Sequence, residues 1–358
     1  MTFRKIFLFS ITLLLFISVT AQDSTKTISY SGSVDGYYRN DFSGNANNNT
    51  VFTNSQNSFE LGMASIKAEA TGFKGKVGAT IDIGFGKRVE EFSYNDAETK
   101  NGFGTLSNIK QAFVTFAPNN NVKFTAGKFT SHIGNEFLDP NLNKNYSMSY
   151  MFTNGPYFNT GIKADFTNGN TGFMIGITNF TDQTTSTTST KSIIAQISGK
   201  SKNEKIKYFI NYTGFGGSVN GANPTGLKSL HQIDVIVNAT LNKKTSFGYN
   251  GTIQQRNGIK NSLIKDGSWI GNALYVSYDI NDKLGIHFRE ELIIDSKNIY
   301  FNAKNISAST ISLNYKIGPL NIIPEIRIEA ANNNFYTDKS GNGTKSTGSA
   351  LLAVVYTF

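Results

Sequence analysis

Val77-Gly78-Ala79-Thr80-Ile81-Asp82-Ile83-Gly84-Phe85 alternates in side-chain character along its whole length. Val77, Ala79, Ile81, Ile83 and Phe85 fall on one face of an extended strand. Gly78, Thr80 and Asp82 fall on the other, and Lys76 and Arg88 continue the polar parity. Side chains alternate across a strand, so such a segment separates an apolar face from a polar one. The pattern recurs to the end of the chain. Phe158, Thr160, Ile162, Ala164 and Phe166 oppose Asn159, Lys163 and Asp165. Ile206, Tyr208, Ile210 and Tyr212 oppose Lys207, Asn211 and Thr213. Phe247, Tyr249 and Ile253 oppose Ser246, Asn250, Thr252, Gln254 and Arg256. Leu284, Ile286 and Phe288 oppose His287, Arg289 and Glu291, and Ile322, Ile326 and Ile328 oppose Glu325, Arg327 and Glu329. Several segments reach ten residues or more, beyond the usual soluble strand of about 5–6. A tilted membrane-spanning strand needs about 9–11.

The connections alternate as well. Short polar turns fall at 71–75, 118–121, 168–170, 202–205, 242–244, 281–283 and 318–321, with the Asn, Gly and Asp content of tight hairpins. Longer stretches fall near 43–57, 90–107, 132–156, 181–190, 217–229, 257–268, 295–306 and 333–347. Seven turns and eight loops connect sixteen strands. Short turns on one side, longer loops on the other and an even strand number are the layout of an outer-membrane barrel. The reading is therefore all-β: a transmembrane antiparallel up-and-down β-barrel of about 16 strands, in one domain over residues 22–358. Two strands read irregularly. The apolar phase of 59–70 changes near Met63 to Ile66, as at a bulge, and 109–116 is apolar on both faces.

Composition agrees. Only 16% of the 358 residues are charged, against about 25% in a usual soluble domain. The chain holds 28 Phe and 16 Tyr, too many aromatics for a disordered segment. With no cysteine, disulfide scaffolds, thiolate metal sites, cysteine nucleophiles and a lipidated N-terminus are excluded. Residues 1–21 read as a signal peptide: basic Arg4 and Lys5, an apolar run from Ile6 to Val19, then Val19-Thr20-Ala21 ahead of Gln22. That run is too short to span a bilayer as a helix, and no later apolar run is long enough. Lipid leaves open backbone groups unsatisfied, so a membrane-inserted chain of this kind closes into a barrel. At the other end Ala350, Leu352, Val354, Tyr356 and the terminal Phe358 share one face. The barrel insertion machinery, which reads such terminal strands, is the expected partner for Phe358.

Gly127-Lys128-Phe129-Thr130-Ser131-His132-Ile133-Gly134-Asn135-Glu136, then Asn145-Tyr146-Ser147-Met148-Ser149, then Pro156-Tyr157-Phe158-Asn159-Thr160-Gly161 form an ordered set of motifs. In this the chain resembles the OmpL-like β-barrel porins of Gram-negative bacteria. The resemblance implies a pore and an outer-membrane location, and no substrate. Phosphate-selective porins are a neighbouring resemblance, but no arginine ladder is present to favour them.

The loop 132–156 is the third and longest, and a long loop is commonly functional. It is expected to fold inward and narrow the channel, presenting Glu136, Asp139 and Lys144 to lumen-facing Arg256, Arg289 and Arg327, with Lys76 and Arg88 nearer the start. Carboxylates opposite basic groups across a wet constriction would orient polar solutes. Asp35, Arg39, Asp82, Lys163, Asp165, Lys207, Glu291, Glu325 and Glu329 are the further lumen candidates. The plainer alternative is a set of solvated interior charges with no special alignment. Asp139-Pro140-Asn141-Leu142-Asn143 begins like a calcium loop, but Lys144 and Tyr150 stand where Gly and Glu are needed. His132, His231 and His287 show no metal spacing. His231 has the parity of Ile233, Val235 and Val237 and is expected to face lipid near a rim. No phosphate loop occurs.

Tyr30, Tyr38, Phe116, Phe166, Tyr208, Tyr278 and Tyr315 are the candidate aromatic girdles. Net charge is +9, or +7 without Arg4 and Lys5, with no basic run of nucleic-acid type. It would bias a pore towards anions or meet anionic lipopolysaccharide. The expected function is passive diffusion of small polar solutes or ions, with no cofactor and no catalysis, in the outer membrane of a Gram-negative bacterium. The oligomeric state stays open. The alternatives are a non-conducting barrel for adhesion or structure, and a barrel hydrolase. The cleavage site predicts a mature N-terminus at Gln22. Intact mass of membrane-extracted protein checks it, and retention of Met1 would contradict it.

Overall fold

The computed structural model describes residues 26–96, 104–180, 182–186, 189–216, 226–260 and 262–358. The signal-peptide segment lies outside them. Sixteen antiparallel strands close into one barrel. In chain order they are β1 (Thr27–Asp41), β2 (Ser58–Gly72), β3 (Val77–Phe85), β4 (Ile109–Asn119), β5 (Val122–Thr130), β6 (Phe158–Asn168), β7 (Thr171–Asn179) and β8 (Lys191–Lys200). Then come β9 (Ile206–Phe215), β10 (Leu227–Thr240), β11 (Thr245–Gly258), β12 (Gly267–Asp279), β13 (Leu284–Ile294), β14 (Asn305–Ile317) and β15 (Leu320–Ala331). A small hairpin, β16 (Tyr336–Thr337) and β17 (Gly343–Thr344), sits in the last long loop, and β18 (Ser346–Thr357) completes the ring.

Closure is made by β18 between β15 and β1, with Val34 opposite Tyr356 and Asp35 opposite Val355. Gly32 and Phe358 exchange both backbone hydrogen bonds, at 2.9 and 3.0 Å. A side chain at Gly32 would strike the Phe358 ring, so the glycine lets the terminal ring lie across the seam. All seven short turns fall at one end of the barrel and all long loops at the other. Gly169 (φ 58°) supplies the left-handed residue that the two-residue turn between β6 and β7 requires.

The outer face is apolar. Ile81, Ile162, Phe247, Phe288, Ile326 and Val354 are all exposed there, while Thr80, Asp82, Asn250, Arg289, Glu325 and Arg327 are buried inside. Of the girdle candidates, Tyr30, Phe116, Phe166, Tyr208, Tyr278 and Tyr315 gather at the short-turn end. Tyr38 stands alone at the other, its ring 4.9 Å from that of Phe59.

The irregular strands are explained by what they cover. Between β1 and β2 the register shifts at Asp35/Gly36, so that Leu61 faces out and Met63 faces in. Strand β4 turns Val114 and Phe116 outward and Phe113 inward, onto a small core of Phe129, Met174 and Ile194. Three expectations need correction. Phe158 does not face lipid: at the first residue of β6 it is fully buried under the Phe92 ring and the Lys128 ammonium, because loop structure covers it there. Lys76 lies exposed in the turn before β3 rather than in the lumen. Arg88 belongs to helix α1 (Lys87–Phe92), since Gly86, at φ 110°, ends the extended run and turns the chain inward.

This register makes a two-sided prediction. Ile81→Arg or Ile162→Arg should cost about 2–4 kcal/mol at mid-depth. Lys163→Arg, on the lumen side, should cost far less. Refolding titrations in lipid measure the difference, and equal penalties would mean that the faces are wrongly assigned.

Candidate functional site

The segment 131–157, between β5 and β6, touches lumen-facing side chains around most of the ring. Its first arm lies on β10 and β11. Gly134 N donates to Asp234 Oδ1 at 3.1 Å, Asn135 N to Asn250 Oδ1 at 3.2 Å, and Asn238 Nδ2 donates to Asn135 Oδ1 at 2.9 Å. The chain then crosses towards β2–β4. Arg88 Nη2 donates to the Tyr146 carbonyl at 2.8 Å, and its guanidinium lies 5.2 Å from the Phe52 ring and 4.4 Å from the Tyr146 ring. Next the chain meets β13–β15. Tyr146 N and Ser147 N donate to Glu325 at 2.8 and 3.1 Å, and Tyr150 N donates to Glu291 at 2.7 Å. A single helical turn, α2 (Tyr150–Thr153), starts where Ser149 Oγ accepts from Phe152 N.

The lumen charges are spent on this loop and on one another. Glu136 bonds Arg289 at 2.6 Å, Arg289 bonds Glu291 at 3.0 Å, and Glu291 bonds Arg327 at 2.9 Å. Arg327 reaches Glu329, which also accepts from the Tyr150 and Tyr336 hydroxyls. On the opposite side Lys110 bridges Asp82 and Asp139. The expected wet gap between loop carboxylates and wall arginines is thus overturned: Glu136 and Arg289 are in contact and buried. A buried charge needs a partner, and removing one member of such a pair costs about 3–5 kcal/mol. Arg256 stands apart from the loop carboxylates, 3.8 Å over the Tyr300 ring and donating to the Ile299 carbonyl. Lys163 pairs with Asp165 at 3.3 Å. Lys144 is exposed at the short-turn end of the loop. His231 faces outward and shares a 2.9 Å hydrogen bond with the Tyr212 hydroxyl.

One contact was not legible beforehand. The Tyr146 hydroxyl donates to Asp35, and both pass over Gly62. A Cβ at Gly62 would run into Asp35 Oδ2 and the Tyr146 oxygen, so the bulge of β2 is shaped to admit the loop. Around it lie two apolar clusters, one of Tyr37, Tyr146, Ile323, Leu351, Ala353 and Val355, the other including Phe52, Met63, Val89, Leu138 and Met148. The only sequence signal was the phase change near Met63.

Free space lies along the other wall. A cavity of about 360 Å³ near the long-loop end is lined by Tyr94, Pro156, Tyr157, Thr213, Gln232 and Gln254. It shares Pro156 and Tyr157 with a second of about 350 Å³, bounded by Phe152, Gln196, Phe209, Ile236 and Asn238. That one shares Asn135, Glu136, Phe137 and Asn238 with a third of about 310 Å³, which extends to Lys144, Thr240 and Ser277. Through these shared lining residues the three form a series from the long-loop end to the short-turn end.

A family model described as "Putative beta-barrel porin-2, OmpL-like" matches residues 27–358. Among solved structures, the outer membrane channel DcaP of Acinetobacter baumannii is similar at 12% identity and TM-score 0.61, over 93% of this chain and 97% of that one. An anion-selective porin from Comamonas acidovorans is similar at 11% identity and TM-score 0.62, over 93% and 100%. OmpT of Vibrio cholerae follows at 12% identity and TM-score 0.57, over 94% and 99%. At these identities the likeness is one of fold. No curated protein matches the chain.

The loop's return is fixed by Asp182, beyond β7. It accepts from Tyr157 N at 2.6 Å and Phe158 N at 3.1 Å. Burial nevertheless pushes its carboxyl up to about 7 from 3.8, against those donors. The folded state therefore holds this proton more tightly than the unfolded one. The stabilisation is complete below about pH 4 and is lost as pH rises through 7. Asp182→Asn should flatten that part of the stability profile, as read by melting in detergent from pH 4 to 9. An unchanged profile would exclude Asp182 as its source.

Proposed function

The chain belongs to the OmpL-like β-barrel porin-2 family, and on that premise we propose that it forms a water-filled outer-membrane channel for passive diffusion of small polar solutes or ions. The observation that carries the reading is the string of cavities past the third long loop, sharing Pro156 and Tyr157 at one junction and Phe137 and Asn238 at the next. A barrel of 16–18 strands is wide enough to keep an aqueous channel. In this reading no residue performs catalysis, and the 131–157 loop sets the width. Lipid and lipopolysaccharide surround the outer face of a chain exported from the cytoplasm of a Gram-negative cell.

Discrete conductance steps in a planar bilayer are the expected result, and their absence from correctly folded protein would favour the non-conducting barrel. Reversal potentials should show a weak anion preference. A surplus of +7 is small once spread over the molecule, and high salt should flatten it, since screening acts within about 8 Å at physiological strength. Deleting residues 135–149 should raise single-channel conductance. The Glu325 carboxylate, released from the amides of Tyr146 and Ser147, would then face water instead of being left buried. Unchanged conductance would mean that current does not pass beside the loop.

A further inference from the structure

We propose that the free passage is matched to uncharged solutes with an apolar face and a hydroxylated edge, small carbohydrates above all. This rests on the channel reading and names its substrate class. The first argument is where charge is missing. Of the carboxylates among the described residues that touch the passage, Glu136 is held by Arg289, Asp139 by Lys110, and Asp182 by Tyr157 N and Phe158 N. Asp234, beside the passage, accepts from Gly134 N, Asn211 Nδ2 and Asn250 Nδ2 at 3.1, 2.9 and 2.6 Å. Lys207 and Lys144 remain, both at the short-turn end. Beyond the reach of Lys207, which lines the second cavity, an ion would lose hydration and find no free counter-charge among the described residues, which is costly.

The second argument is what takes the place of charge. Phe137 stands 53% exposed, although it lies on a loop inside the barrel. It lines both the second and the third cavity, and so does Asn238 on the facing wall. A solute passing from one cavity to the next moves between this ring and this amide. The apolar lining continues below on the loop with Leu142, itself 57% exposed, and above on the wall with Phe209 and Ile236, beside Asn238. The polar side continues with Gln196 above and Ser277 below. A sugar ring has the complementary surfaces: C–H groups for an aromatic face and hydroxyls that both donate to and accept from an amide. The second cavity, at about 350 Å³, falls within the roughly 300–1,000 Å³ of small-molecule sites.

Proteoliposomes carrying the full mature protein should admit glucose faster than gluconate or glucosamine of the same size. Glucose should also interrupt single-channel ion current. Phe137→Ala should weaken that interruption roughly two- to tenfold, the range of one aromatic contact. The ring is exposed, and the loop hydrogen bonds here run from the backbone of Phe137 to Asn143, so the variant keeps them. Asn238→Ala should act in the same direction from the opposite wall, and because it also removes the hydrogen bond to Asn135 Oδ1, Phe137→Ala is the variant that decides. If the charged analogues enter as fast as glucose, or neither variant alters the interruption, the solute class is wrong while the channel stands. If folded protein passes neither current nor glucose, the channel reading fails and this one with it.

Discussion

A sheet in lipid has no water to satisfy its edges, so the first and last strands of this chain must find each other. The pairing of β18 with β1, finished by the two Gly32–Phe358 hydrogen bonds, meets that requirement. Everything else follows from the enclosure. Once the ring is shut, side-chain parity assigns every alternate residue to lipid or to lumen. Leu352, Val354 and Tyr356 are then exposed to the bilayer, while Leu351, Ala353 and Val355 of the same strand are buried within. That last set is apolar, which an empty water-filled lumen would not favour. It is apolar because Tyr146, Tyr37 and Ile323 pack on it.

The loop inside the barrel solves a problem that closure creates. A lumen studded with Asp35, Arg88, Arg289, Glu291, Glu325 and Arg327 is stable in water, but those groups are buried here. Burial of a charge is tolerable only with partners. The loop supplies them from its backbone: amides of Tyr146, Ser147 and Tyr150 for the carboxylates, carbonyls of Tyr146 and Ser147 for the guanidiniums. The wall in turn gives the loop what a structureless segment lacks, namely acceptors and donors for its backbone groups. Loop and charges therefore depend on each other, and neither is intelligible as a free element of a pore.

Strand positions and short turns were readable because a period of two survives in single segments such as 77–85, whatever lies far away in sequence. The bulge of β2 left a trace for the same reason, as a break in phase near Met63. What the third loop touches left none. Its partners lie up to 186 residues away, as in the Tyr150–Tyr336 contact, and no local pattern encodes a distance of that kind. Extrapolated parity failed at two places where local backbone or cover changes. Gly86 turns Arg88 off the strand and into a helix, and loop packing seals Phe158 at the start of β6. The arginines and carboxylates were correctly put on the inner face, but alternation fixes a face and not a partner. Hence Glu136 and Arg289 were placed opposite each other when they touch.

The lumen is consequently divided. Along β13–β15 and β1–β4 the interior carries dense charge and little space. Along β8–β11 it carries Gln196, Asn211, Asn238 and Asn250, with Asp234 as a carboxylate held by three donors. Buried ion pairs hold geometry when complete and penalise any disturbance, so they suit a wall that fixes a loop. In the proposed channel, neutral amides would exchange partners with a solute at small net cost, because each lost hydrogen bond is replaced by another of similar worth. The amide wall holds the loop as well, Asn250 accepting from Asn135 N and Asn238 donating to Asn135 Oδ1, but it does so without the desolvation cost that each buried charge on the other wall carries.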